Sequence, residues 1–399
     1  MKKSLCCIIF FLVFTQMSEG TTLTLEKLLH TASEHNALSK ALDQNVLAAK
    51  SQALANTADD PYELYGQSAR AVPDAGNWGY EYAVGVSKNI KLGNIQTQER
   101  DIANLQSEAT YLDGQKRLIN FKNTLKNIYH QHCIDLQKYR SMKQSYDDFL
   151  KLFNKKQKAY KYKEISKTEL MQLQSEKTTL FAQLEEVKMM QNISKQKVLM
   201  LSNISNTKYA QLSCRDIYPI RDKISLGKKF SLSKEAKDKR IQSTQKSLKR
   251  YSHTFESISV SGQYGREIDI DRYTIGVSLP LNFSSSKNEH AKAAAMYKAS
   301  AIEYGYEQNI KEKKALLSEL QSQLTTQARM TKALSKNYRT YKKKLIPLVK
   351  KSYDLGEISV IEYLLNRQKL YTLNHELYAS KKAYYNTLFR LYTLSEKKD

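Results

Sequence analysis

Along this chain the spacing of apolar residues switches between two periods, and the alternation occurs twice. Over residues 23–57 apolar positions recur at helical spacing, at Leu28, Leu29, Ala32, Leu38, Leu42, Val46 and Leu54, which predicts one amphipathic helix. Asp59-Asp60-Pro61 ends it, since proline lacks the N–H that the next turn needs. Over 62–72 and 79–92 the period falls to two, which predicts a pair of strands joined by Pro73-Asp74-Ala75-Gly76-Asn77. In the second strand Tyr80, Tyr82, Val84, Val86, Ile90 and Leu92 share one face, and Glu81, Ala83, Gly85, Ser87, Asn89 and Lys91 the other. Lys88 interrupts the apolar row. Residues 96–201 then return to a polar, charged helical pattern that breaks once, near 161–166. The arm before the break runs to ~100 Å at 1.5 Å per residue.

The same order returns. Ala37-Leu38-Ser39-Lys40 reappears as Ser231-Leu232-Ser233-Lys234, and Tyr82-Ala83-Val84-Gly85-Val86-Ser87 as Tyr273-Thr274-Ile275-Gly276-Val277-Ser278. Tyr160-x-x-Lys163-Glu164-Ile165-Ser166-x-x-Glu169 reappears as Tyr353-x-x-Gly356-Glu357-Ile358-Ser359-x-x-Glu362, at offsets of 194, 191 and 193. Three matches in one order at nearly one offset indicate a duplicated unit. In the second copy Ile258, Val260 and Tyr264 oppose Ser257, Ser259, Ser261 and Gln263. After a turn, Tyr273, Ile275, Val277, Leu279, Leu281 and Phe283 form an unbroken apolar row. The chain divides into a first repeat, 21–202 (β-hairpin 62–92, helical hairpin 95–202), a connector without counterpart, 203–230, and a second repeat, 231–399 (β-hairpin 255–283, helical hairpin 287–395).

Strands of about ten residues, apolar on one side and small or polar on the other, match an outer-membrane barrel; the other reading is a half-buried soluble sheet. Two isolated hairpins would make a poor soluble sheet. Four strands cannot close a barrel and bilayers accept only closed ones, so three copies, giving twelve strands, are expected.

Composition adds the compartment. Lys2 and Lys3 precede an apolar stretch from Leu5 to Val13, and Ser18-Glu19-Gly20 offers small residues for cleavage, so residues 1–20 read as a signal peptide. Cys6 and Cys7 lie inside that leader. The remaining Cys133 and Cys214 are too few for a disulfide framework. No other window is long and apolar enough for a membrane helix. The net charge of +24 would suggest nucleic acid in a cytoplasmic chain, but export argues against it. The lysines read as solvated helix faces, or as charge that meets anionic headgroups or biases a channel toward anions. No nucleophile–base spacing is present, which predicts no catalytic residue. His130-Gln131-His132-Cys133 is the one metal-like cluster, and zinc would want four ligands. No metal and no cofactor is therefore expected. Tyr80, Tyr82, Tyr264 and Tyr273 are candidates for an aromatic girdle.

Three stretches resemble the TolC family of trimeric outer-membrane efflux proteins: Tyr273-x-Ile-Gly-Val-Ser-Leu-Pro-Leu-x-Phe283, Tyr353-x-x-Gly-Glu-Ile-Ser-x-x-Glu-Tyr-Leu364, and Leu370-Tyr-Thr-Leu-x-x-Glu-Leu-Tyr-Ala-Ser-x-x-Ala-Tyr-Tyr-Asn386. The resemblance covers nearly the whole mature chain. It implies a mainly α fold with a small β part: a β-barrel completed in trans by a homotrimer, four strands per protomer, continued by a long periplasmic α-helical barrel. It implies a passive exit duct in the outer membrane of a Gram-negative bacterium, with most of the chain in the periplasm. Its partners would be outer-membrane lipid, a periplasmic adaptor and an inner-membrane pump of RND or ABC type; its cargo, small molecules or metal ions. A type I protein secretion channel would use the same duct. A periplasmic adaptor would carry one helical hairpin where this chain has two, and a basic coiled-coil envelope protein would not need the β hairpins. The resemblance places adaptor docking at Tyr160, Lys163, Glu164, Ile165, Ser166, Gly356, Glu357, Ile358 and Ser359, and the periplasmic gate at Glu169, Tyr353 and Glu362. Three positions depart from the family pattern. Ile358 stands where the latch has Arg, Leu365 where a second acid often stands, and Lys163 where the first turn usually has Gly.

Overall fold

A computed structural model of the protein describes residues 22–397 except 36, 73–77, 205–210, 228 and 281–285. The signal peptide, the 73–77 turn, and Leu281 and Phe283 of the apolar row lie outside the described residues. The elements in order are β1 (Thr22–Leu23), α1 (Leu25–His35), α2 (Ala37–Asn56), β2 (Tyr62–Ala71), β3 (Gly79–Lys91), α3 (Ile95–Lys161), α4 (Lys167–Leu201), β4 (Gln211–Leu212), α5 (Ser231–Arg250), β5 (Ser257–Arg266), β6 (Asp271–Ser278) and α6 (Lys287–Thr340). A π turn (Tyr341–Leu345), α7 (Ile346–Asp354) and α8 (Val360–Leu394) follow.

The duplication is written in the backbone. Four non-prolyl turns take a left-handed conformation at matching places: Lys163 (φ 60) with Gly356 (φ 78), and Asn203 (φ 55) with Glu396 (φ 57). Both pairs are 193 residues apart, the offset of the tip motif. At each, two bonds close the end of a helix, as in Glu164 N–H to Ala159 O and Lys163 N–H to Tyr160 O, the paired arrangement that satisfies a helix's last carbonyls.

Three expectations of extent are corrected. The predicted single helix over 23–57 is β1, α1 and α2. Thr22 and Leu23 pair in parallel with Gln211 and Leu212, and Leu25 N–H donates to Asp216 Oδ2 at 3.1 Å, so the connector claims the start of the chain. β6 stops at Ser278, two residues before Pro280, which cannot donate to a ladder. The second long arm is interrupted by the π turn just before Pro347. That proline brings no N–H to the carbonyl of Lys343. The second copy is also longer between matched tyrosines, 80 residues from Tyr273 to Tyr353 against 78 from Tyr82 to Tyr160, and a π ring holds one residue more than an α turn.

One compact unit contains residues up to Lys40, 118–229 and 313–399. Its helices bury seams at heptad spacing. In α4 the buried stripe is Leu173, Leu180, Leu184, Val187, Ser194 and Val198. In α8 the residues Tyr363, Leu370, Leu377, Tyr384 and Leu391 recur every seven residues, the repeat that keeps one face toward a partner helix. Wholly buried leucines such as Leu173 and Leu180 each contribute ~2 kcal/mol.

The connector is not a passive link in this unit. Cys133 and Cys214 form a disulfide across 81 residues with Cα atoms 5.5 Å apart. The two cysteines, too few for a framework, are thus joined to each other, and the Cys133 sulfur beside His130 is taken up in that bond. His130 is fully buried. Its Nδ1 faces Lys126 O at 2.7 Å and its Nε2 accepts the Tyr218 N–H at 3.0 Å. Burial pulls its pKa down to about 4, so it is neutral and answers both groups. Tyr385 donates to Tyr218 O at 2.5 Å, Tyr384 to Arg221 O at 3.1 Å, and Tyr129 to Ser213 O. Helix tyrosines thus take up the carbonyls of a segment with little ladder of its own, as buried backbone requires.

The other unit comprises 41–117 and 230–312. It holds a four-stranded antiparallel sheet of order β2-β3-β5-β6. α5 runs antiparallel to the start of α3, with Arg250 on Glu99, Lys246 on Asp101 and Lys239 on Glu108.

Candidate functional site

The sheet is the first candidate. Its register sets whole rows on one side: Tyr62, Lys88, Val260 and Val277; Leu64, Val86, Gly262 and Ile275; Gly66, Val84, Tyr264 and Tyr273. This face has no protein partner among the described residues. Leu64 is 79% exposed, Tyr273 80% and Ile275 86%. Tyr80, Tyr82, Tyr264 and Tyr273 all lie on it, and Lys88 stacks its ammonium over the Tyr62 ring at 4.5 Å. A contiguous apolar face of this kind marks contact with membrane or protein. The opposite face carries Gln67, Ala83, Ser87, Asn89, Ser259, Ser261, Thr274 and Ser278. There the Tyr65 ring lies where a side chain at Gly85 would go, and its hydroxyl donates to Gln263 Oε1 at 3.3 Å. β2 and β6 are each paired on one side only, leaving two open edges of the sort proteins otherwise cover.

The turns between α3 and α4 and between α7 and α8 are the second candidate. Ser166 and Ser359 cap the following helices, accepting from Glu169 N–H at 3.0 Å and Glu362 N–H at 3.2 Å, the serine cap expected of these positions. From there the turns differ. Tyr353, 3% exposed, donates to Glu169 Oε1 at 2.5 Å and stacks on Tyr363, with centroids 4.7 Å apart. Lys156 approaches the same carboxylate oxygen at 3.5 Å and lies 4.1 Å above the Tyr353 ring. Burial first, then the bond to the Glu169 carboxylate, pushes the Tyr353 hydroxyl's pKa far above the usual phenol.

The predicted residues therefore separate. Glu169 and Tyr353 meet. Glu362 is exposed and stays apart, its backbone carbonyl taken by Asn366. Ile358, at the position of the family's Arg, packs against the apolar core of the turns. Tyr160, Lys163, Glu164, Ser166, Gly356, Glu357 and Ser359 are exposed, and Ile165 partly so. Sequence reasoning missed Lys156, which supplies the cation. It also missed Arg367, whose guanidinium donates to Ser145 O at 2.9 Å and to the hydroxyls of Tyr363 and Tyr371. Tyr363, Arg367 and Tyr371 at steps of four are the signal for the latter. Among the described residues no group of three His, Cys, Asp or Glu side chains could hold a metal ion.

No family profile and no curated protein matches the sequence. Solved structures do. A membrane protein from Pseudomonas aeruginosa aligns with a TM-score of 0.76 at 15% identity, over 93% of each chain. The CmeC outer membrane channel of Campylobacter jejuni aligns at 0.72 and 14%, over 94% of this chain and 87% of that one. The fold is that of the TolC-type outer-membrane channels. The open state of the Neisseria gonorrhoeae MtrE outer membrane channel is similar as well, at 0.68 and 15%, over 93% of this chain and 88% of that one.

Proposed function

We propose that the protein is an outer-membrane exit duct. Three copies join β2 of one to β6 of the next and close a twelve-stranded barrel, its apolar face toward lipid and its Ser-, Thr- and Asn-bearing face toward water. The observation that carries this reading is the four-stranded sheet with two open edges and an unpartnered apolar face. The turns are then the periplasmic gate and adaptor-docking site, with Lys156, Glu169 and Tyr353 holding the two helical hairpins of one protomer together. An inner-membrane pump supplies the energy and the cargo, small molecules or metal ions. The test is reconstitution in planar bilayers. The reading expects stepwise ion conduction by an SDS-resistant trimer. A monomer recovered from the soluble periplasmic fraction, without conduction, would sink it.

A further inference from the structure

The turns carry more charge than their packing uses. Residues 151–167 hold seven lysines and one acid, Glu164, and residues 342–357 hold five lysines and two acids, Asp354 and Glu357. Lysine and arginine together number 64 in all 399 residues, so lysine alone is here more than twice as dense. A few have internal work: Lys156 in the latch, Lys155 on Asp354 at 3.2 Å, Lys342 on Gln144 at 3.1 Å. Lys158, Lys161, Lys163, Lys167, Lys350 and Lys351 are exposed and meet no carboxylate among the described residues. Lys163 also occupies the left-handed turn position that Gly356 fills in the other copy, so a cation sits where glycine would be unstrained.

The arrangement is directional. Lys151, Lys155, Lys158 and Lys161 follow one another at steps of four, three and three, a single stripe on α3. It runs ~15 Å along the helix at 1.5 Å per residue, and Lys344 and Lys351 lie one heptad apart in the second copy. A flat anionic bilayer would meet only the apex of the turns, where Lys163 stands beside Glu164 and Gly356 beside Glu357, and would miss most of the stripe. A stripe along the side matches a helix laid against it. Tyr162 and Leu355, exposed beside the lysines, supply the aromatic and apolar contacts of a protein interface.

We propose that these turns form a docking face for an acidic partner, a periplasmic protein presenting a helical hairpin whose tip is rich in Asp and Glu. This rests on the exit-duct reading, in which the adaptor docks at the turns, and adds the sign of the partner's charge. The lysines set association rate and selectivity by electrostatic complementarity.

The experiment is biolayer interferometry with the purified full-length channel in detergent. The probes are a synthetic helical hairpin with a Glu-rich tip, the same hairpin with Gln in place of each Glu, and vesicles of phosphatidylcholine with or without phosphatidylglycerol. The Glu hairpin is expected to bind at least about tenfold tighter than the Gln hairpin, and to weaken as salt rises from about 0.05 to 0.15 M. K158Q/K161Q combined with K350Q/K351Q is expected to lose that tenfold preference while keeping the SDS-resistant trimer and its conductance. Equal affinity for the two hairpins, unchanged binding by the variant, or phosphatidylglycerol vesicles binding as tightly as the Glu hairpin would each overturn the proposal. A channel that conducts but ignores the Glu hairpin overturns the acidic partner and leaves the exit duct standing; a chain that does not conduct overturns the duct itself.

Discussion

The two helical hairpin turns share one backbone and differ in what they do with it. Positions 163 and 356 both turn left-handed, 166 and 359 both cap, and 169 and 362 both place a glutamate in the first turn of a helix. Yet Glu169 is bound by a buried tyrosine and a lysine, while Glu362 is exposed to solvent. α3 reaches its turn as 67 unbroken helical residues, whereas the second arm arrives through a π turn and a short helix. Only the first copy is followed by a disulfide-pinned connector. Duplication preserved the turns, where geometry allows few solutions, and released the side chains around them.

The largest test of this asymmetry is the pin. Removing the disulfide with C133S/C214S frees an 81-residue loop and is expected to cost about 4 kcal/mol. Thermal unfolding followed by circular dichroism checks it, and no loss of Tm would mean that the connector is held by its hydrogen bonds alone.

Acid probes the same place. The His130 pKa is pulled to about 4 when folded, against about 6.5 in the unfolded chain. The unfolded state binds the extra proton between those values, so this contribution is full above pH 6.5 and is lost as pH falls from there toward 4. Two and a half pH units correspond to about 3 kcal/mol. His132, also pulled to about 4 by burial, acts in the same direction. Hydrogen exchange of residues 211–227 at pH 7.5 and pH 5 is expected to show the connector loosening first.

Smaller effects separate the turns themselves. Tyr353→Phe removes the bond to Glu169 and is expected to cost about 1–2 kcal/mol, while Glu362→Gln stays within about 0.5 kcal/mol, as exposed substitutions do. Equal effects in the two Tm values would erase the distinction between a latched and an exposed glutamate. Below the Tyr353 effect comes the exchange of turn residues: Lys163→Gly is expected to stabilise and Gly356→Ala to destabilise, each by about 1 kcal/mol. Matching signs would show that the two left-handed positions are not equivalent.

Much of this was legible in the sequence, for reasons that show its limits. The strand faces were readable because a period of two assigns every residue of 80–90 to one side, and the register agrees residue for residue. The Glu169–Tyr353 pair was reachable through the family resemblance, and the repeat aligned both turns. What escaped depends on contacts far apart in the chain. Nothing near Thr22 announces that it will pair with Gln211. The spacing of Cys133 and Cys214 carries no signature of a bond. Lys156 looked like one more solvated lysine until Tyr353 was placed beneath it, and Pro347 hinted at a break without fixing its π form.

The central claim is that three copies close the sheet through its two open edges. Single cysteines introduced at Leu64 on β2 and scanned along β6 from Tyr273 to Val277, the native disulfide retained, test it most directly. In outer-membrane fractions under mild oxidation the account predicts covalent dimers and trimers, with the ladder stopping at three chains. Cross-linking that never leaves the monomer, or a ladder that continues past three, would contradict it.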